Sequence, residues 1–269
     1  MTLAGIGAGT VTSTPAGINC GPACSAGGAA FYADTSVSLT ATPAAYSTLT
    51  GRSGACTGTG GCSVTMDQAR SVTATFAAAS YTLTVSMAGS SSGTVTSVPA
   101  GITCGPACAA TVASFTSLTP VTLTASPSAG GTFKEWRGAC TGSSTTCLVT
   151  MTSNLTVTAV FTKRFTDPTL TVGAMPIKAV HLTDLRAAID MLRWRRSLSA
   201  FTWTDATLTA GSTPVKRQHL IDLRTALTQA YQAAPVRTPP TYAEGITANT
   251  TPIKASHLTE LRSFVRSLE

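Results

Sequence analysis

Val121-Thr122-Leu123-Thr124-Ala125 repeats, 84 residues further on, the pattern of Val37-Ser38-Leu39-Thr40-Ala41. Each string alternates apolar and small polar residues, the period-two signature of an antiparallel strand with one buried face. Outward from this pair, Gly9-Thr10-Val11-Thr12-Ser13 returns as Gly93-Thr94-Val95-Thr96-Ser97. Val72-Thr73-Ala74-Thr75-Phe76 likewise returns as Val157-Thr158-Ala159-Val160-Phe161. Stretches rich in glycine and proline separate the strings, as turns require. Residues 9–76 are thus copied as residues 93–161. A chain built by copying modules is selected for reach, display or binding more often than for one reaction centre.

All eight cysteines lie in the copied block, four to a copy. Cys20, Cys24 and Cys56 align with Cys104, Cys108 and Cys140, and Cys62 aligns with Cys147 after a one-residue insertion. An even count in a Ser/Thr-rich β chain reads as disulfides and an oxidising compartment. The local pairs are Cys20–Cys24, Cys56–Cys62, Cys104–Cys108 and Cys140–Cys147. Closing a five-residue loop contributes about 2 kcal/mol, so such clips stiffen turns more than they hold a fold. The competing reading is a closed four-thiolate zinc site in each copy. The unequal spacing of the second pair weighs against it.

The order of these motifs, together with Phe133-Lys134-Glu135-Trp136-Arg137-Gly138, resembles the divergent internalin-type B repeats of bacterial surface and secreted proteins. The resemblance covers roughly residues 3–161. It implies a small β-grasp-like fold, an extracellular location, a role as stalk or adhesive spacer, and no catalytic residues. The first copy departs from the second in two places. Leu49 and Arg52 stand where the second copy has Phe133 and Trp136, so its aromatic anchor is missing. The second copy also opens on Tyr81-Thr82-Leu83-Thr84-Val85, whereas Met1 falls at the position of Val85. The first unit therefore starts after its opening strand. Either the chain is a processed fragment, or a neighbouring molecule donates the strand.

A second unit follows, three times over. Pro176, Pro214 and Pro252 recur every 38 residues, and Lys178, Lys216, Lys254 and His181, His219, His257 keep the same register. Each unit reads as an extended lead-in such as Phe165-Thr166-Asp167-Pro168-Thr169-Leu170, a turn at Gly173, and a helix. Proline suits a first helical turn, with Thr213 and Thr251 placed as caps. Ile177, Leu182, Leu185, Ile189 and Leu192 trace one apolar face about four turns long. The histidines fall in that arc, where they pin each lead-in to its helix; the alternative is a three-histidine metal site. The lysines, read as first-turn residues beside free N–H groups, are candidate anion-binding groups. Their alternative is a stem lying over Phe165 or Trp203. The triplet is similar in form to surface-layer homology modules and to a repeat at the C-termini of secreted bacterial proteins.

Net charge is +7, with four basic and three acidic residues in 1–161 against fourteen and eight in 162–269. That modest basic surface lacks the dense Lys/Arg stripe with interleaved aromatics of a nucleic-acid binder. No apolar run is long enough to span a membrane. Met1-Thr2-Leu3 does not open a signal peptide, so any export signal lies outside this stretch. No nucleophile elbow, phosphate loop or His-Glu-x-x-His motif is present.

The expected fold is multidomain: two small β-rich, β-grasp-like tandem repeats, residues 1–79 and 80–163, plus an α-helical module at 164–269 in three units (164–201, 202–240, 241–269). The expected role is non-enzymatic, extracellular or at the cell surface: an appendage, adhesin stalk or filament subunit whose partner is itself. The alternative is a module that binds cell-wall or other anionic glycan. No cofactor is implied.

Overall fold

The computed structural model describes residues 1–269 apart from 25, 172–175, 211 and 247–251. The first repeat holds β1 (Thr2–Ala4), β2 (Gly9–Thr14), β3 (Asn19–Cys20), β4 (Ser36–Pro43), β5 (Ser47–Gly54), β6 (Ser63–Thr65) and β7 (Val72–Ala78). They form two sheets, β1-β7-β5 and β3-β2-β4-β6. The quoted strings pair with their neighbours: β2 and β4 run antiparallel with Val11 opposite Ala41 and Ser13 opposite Leu39. The apolar positions Val11, Val37, Leu39, Ala74 and Phe76 face inward and are buried, as period two demands.

The second repeat holds β8 (Ser80–Ala88), β9 (Gly93–Val98), β10 (Thr103–Cys104), β11 (Ala110–Thr116), β12 (Pro120–Pro127), β13 (Gly131–Gly138), β14 (Thr146–Thr150) and β15 (Leu155–Lys163). Its sheets are β10-β9-β12-β14 and β11-β8-β15-β13. The first of these matches β3-β2-β4-β6 strand for strand. Glycine is required where Gly93 abuts the Phe161 ring, because a Cβ there would overlap the ring. Gly89 sits at φ +92 with its α-carbon against the Phe161 carbonyl, a place closed to side chains on both counts. The described residues of both repeats form strands only, so the helix that a β-grasp lays across its sheet is not among them.

Four disulfides close local loops, with Cα–Cα separations of 5.2 Å for Cys20–Cys24, 5.7 Å for Cys56–Cys62, 5.3 Å for Cys104–Cys108 and 6.3 Å for Cys140–Cys147. Pairing within each loop, rather than a common site for four thiolates, sets aside the zinc reading.

Three helices complete the chain: α1 (Ala179–Trp194), α2 (Arg217–Gln232) and α3 (Ala255–Ser267). Leu182, Leu185, Ile189 and Leu192 of α1 pack with Leu220, Leu223 and Leu227 of α2 and Leu258, Leu261 and Val265 of α3 in one apolar core. The helices begin later than proline placement suggests. Their N-caps are Lys178, Lys216 and Lys254, all with extended backbone, and Pro176, Pro214 and Pro252 lie two residues outside. Thr213 is not a cap; its hydroxyl accepts the Thr209 N–H in the preceding turn. Gly173 and Thr251 fall outside the described residues.

By compactness the chain divides in two: Met1–Leu83 with Ser114–Pro120 and Thr150–Leu155, and the remainder. The helices belong to the second unit, where basic residues seat them on the second repeat. The Arg195 guanidinium donates to the carbonyls of Met87, Gly89 and Ser91 at 2.7, 2.9 and 2.8 Å. Burial, with Arg196 close by, pushes its pKa down to about 10. The Lys163 ammonium lies 3.0 Å from Asp184.

Candidate functional site

The chemistry-bearing side chains of the chain converge at the start of each helix. In α1 the His181 ring is fully buried. Its Nδ1 accepts the Lys178 backbone N–H at 3.2 Å, which is the N3-to-N-cap half of a capping box. The proton of the neutral ring must then sit on Nε2, which donates to Asp167 Oδ2 at 3.0 Å. The Lys178 ammonium donates to the same oxygen at 2.9 Å. A second bond fixes the lead-in, from the Thr166 N–H to Asp184 Oδ2 at 2.7 Å.

The other two units repeat this set. His219 Nδ1 accepts the Lys216 N–H and its Nε2 donates to Asp205, 2.9 Å away. Lys216 pairs with Asp205 at 2.7 Å. In the third unit Glu244 replaces aspartate, 3.1 Å from His257 Nε2 and 2.9 Å from the Lys254 ammonium. Asp222 and Glu260 accept the lead-in N–H groups of Thr204 and Ala243, as Asp184 does.

Asp167 and Asp205 adopt left-handed backbone, φ 48 and 50, which turns each carboxylate back toward its helix. Hydrogen bonds from lysine and then histidine hold the carboxyls of Asp167, Asp205 and Glu244 below their ordinary range. Burial pushes the Asp184 carboxyl up, but the Thr166 N–H and Lys163 outweigh it, and the net shift is downward.

Arginines then join one unit to the next. Arg186 of α1 donates to the Thr204 and Asp205 carbonyls and stacks 5.1 Å over the Trp203 ring. Arg224 of α2 donates to the Glu244 carbonyl and lies 4.2 Å over Tyr242. Arg262 of α3 returns to the first unit, donating to Thr166 and Asp167 carbonyls and lying 4.9 Å over Phe165. The three units therefore close into a ring. The cation over each aromatic lead-in is the arginine of the preceding unit, not the unit's own lysine. A planar, weakly hydrated guanidinium suits a ring face and two carbonyls at once.

Both nitrogens of each histidine are thus engaged, leaving no lone pair for a metal or a substrate proton. The three rings stay with their own units, and no cluster of three or more His, Cys, Asp or Glu fit for a metal occurs among the described residues. The lysine ammoniums, half-exposed, each face a carboxylate of their own unit. Sequence reasoning singles out the lysines and histidines as candidate ligand groups, reads the recurring Asp167, Asp184, Asp205 and Asp222 only as turn and helix-surface residues, and assigns the arginines no role, whereas the aspartates hold the lead-ins. The signal was available: Asp184, Asp222, Glu260 and Arg186, Arg224, Arg262 keep the same 38-residue spacing.

Arg52 is the other informative position. It fills the place of Trp136, is nearly buried, and donates to the Gly60 carbonyl at 2.5 Å. The Trp136 indole donates to Ser144 of the matching loop at 2.9 Å. The lost aromatic anchor is replaced by a donor serving the same disulfide-closed loop.

A family model described as the divergent InlB B-repeat domain matches residues 2–80 and again residues 81–165. No curated protein and no solved structure matches the chain.

Proposed function

Because the chain belongs to the divergent InlB B-repeat family, we propose that it is a non-enzymatic structural segment of a bacterial surface protein. In this reading the tandem repeats act as a spacer outside the cytosol, in the manner of a stalk or appendage. The observation that carries it is the fate of the polar side chains: histidines, carboxylates and arginines bind backbone and one another within the ring. Local disulfides in both repeats support an oxidising location. No helix among the described residues is long and apolar enough to cross a membrane.

Labelling intact cells with a membrane-impermeant reagent, followed by non-reducing peptide mapping, tests this reading. Surface-labelled protein carrying the four local disulfides is expected. Unlabelled cytosolic protein with free thiols would overturn it. Binding of anionic glycan by Lys178, Lys216 and Lys254 is the weaker reading, because each ammonium already has a carboxylate within 3 Å.

A further inference from the structure

The joints of the ring, each an arginine over the aromatic of the next lead-in, differ in charge. Four residues after the ring arginine, and so on the same side of the helix, α1 has Asp190, α2 has Thr228 and α3 has Arg266. The residue before the lead-in aromatic is Arg164 in the first unit and threonine, Thr202 and Thr241, in the others. The joint between α1 and the second lead-in carries its own carboxylate. Asp190 lies near Arg186 and accepts the Trp203 indole N–H at 3.0 Å. The joint between α3 and the first lead-in instead gathers three cations. Arg262 and Arg266 flank the Phe165 ring at 4.9 and 5.0 Å. Like charges at this spacing destabilise a helix, and burial, with Arg266 close by, lowers the Arg262 pKa although Asp184 and Asp167 oppose it.

Arg164, Arg262 and Arg266 line an open cleft of about 590 Å³, together with Thr132 of β13, Phe165 and Pro168. Among the described residues, Glu269 pairs with Arg266 at 2.9 Å, while Arg164 and Arg262 form no ion pair. Arg262 donates to the neutral carbonyls of Thr166 and Asp167. Arg164 is exposed and stands outside the bonding of the ring.

We propose that this cleft docks an acidic peptide segment of a partner protein, an aspartate or glutamate between apolar side chains. The partner's carboxylate takes the part that Asp190 plays at the other joint, and relieves the repulsion between the arginines. A guanidinium fork pairs with a carboxylate through two parallel bonds. Apolar neighbours of that carboxylate rest against Pro168 and the arginine stems. A peptide is favoured over a glycan because Phe165 is 7% exposed, with guanidiniums over its ring, and offers a sugar no face to stack on. The site goes beyond the spacer reading and does not depend on it: peptide binding can fail while surface exposure stands, and the reverse.

The test is fluorescence anisotropy of a labelled peptide, Gly-Leu-Asp-Glu-Leu-Gly, titrated with the intact chain at low salt. Saturable binding that weakens as salt rises is expected, with none for the same peptide carrying Asn-Gln in place of Asp-Glu. Arg164→Glu should weaken binding at least about tenfold, since a charged pair is lost, while the helices melt as before. Arg237→Glu, the same charge change at an exposed position that does not line the cleft, should leave binding unchanged. The amide peptide keeps the test decisive if the Arg164 variant misfolds. No saturable binding by folded chain, equal binding of the amide peptide, or equal loss in the two charge variants would each overturn the proposal. So would displacement of the peptide by a uronate oligosaccharide at lower concentration, which assigns the cleft to carbohydrate.

Discussion

Each histidine of the helical module is an internal connector with two opposite duties. Its Nδ1 caps a helix and its Nε2 holds the carboxylate of a lead-in. Changing His219 to Ala leaves the Lys216 N–H and the Asp205 carboxylate without that partner, at a cost of about 1–3 kcal/mol. Denaturant melts of the variant should show it as a lower midpoint at unchanged slope. In the β repeats the sensitive positions are backbone ones. Gly93→Ala drives a methyl into the Phe161 ring and should cost about 1–3 kcal/mol, whereas Gly60→Ala, with nothing within 4 Å of the added carbon, should be neutral. Thermal melts of the two variants side by side distinguish a packing requirement from a general cost of losing glycine. Arg52 shows the limit of reading a single position: its loss of aromatic character is plain in the sequence, but its donation to Gly60 depends on a loop eight residues away.

Among the elements, the strands were legible because period two and the 84-residue copying agreed, and β2, β4, β7 and their duplicates follow the quoted strings. Helix starts were not. Proline suggested a first turn at Pro176, but the extended Lys178 backbone and the His181 cap place the start at Ala179. A cap made by a histidine at N3 has no counterpart in the usual Ser/Thr/Asp/Asn signal. The same caps make the module acid-sensitive. Asp167, Asp205 and Glu244 have depressed pKa values in the fold. Their stabilisation is complete above the ordinary carboxylate range and is lost as pH falls through the depressed native values. Helical circular dichroism melts should therefore weaken as the pH falls below about 4. Reduction of the disulfides should lower β-repeat stability by about 2 kcal/mol per short loop.

On the scale of the whole molecule, the lead-ins and helices form a closed cycle, because Arg262 returns to Phe165 and Thr166. The 38-residue copying announced three units, yet closure was hidden: it rests on arginines of one unit meeting aromatics of the next, a relation no spacing reveals. Opening the cycle at one joint should weaken all three units together, so Arg262→Ala should give a single cooperative helical transition at lower temperature, not a frayed third helix. The reverse, selective fraying of α3 in hydrogen exchange, would deny the ring. On the proposed structural reading, the lysine, histidine and carboxylate sets hold the fold together and are not a receptor. The most direct measurement is the thermal midpoint of the purified chain titrated with zinc and, separately, with anionic cell-wall glycan fragments. A ligand of the native state at about 100 times its Kd adds about 2.7 kcal/mol of stability, several degrees in midpoint. No dose-dependent rise is expected with either. A saturable rise that disappears when Lys178, Lys216 and Lys254, or the three histidines, are replaced would contradict it.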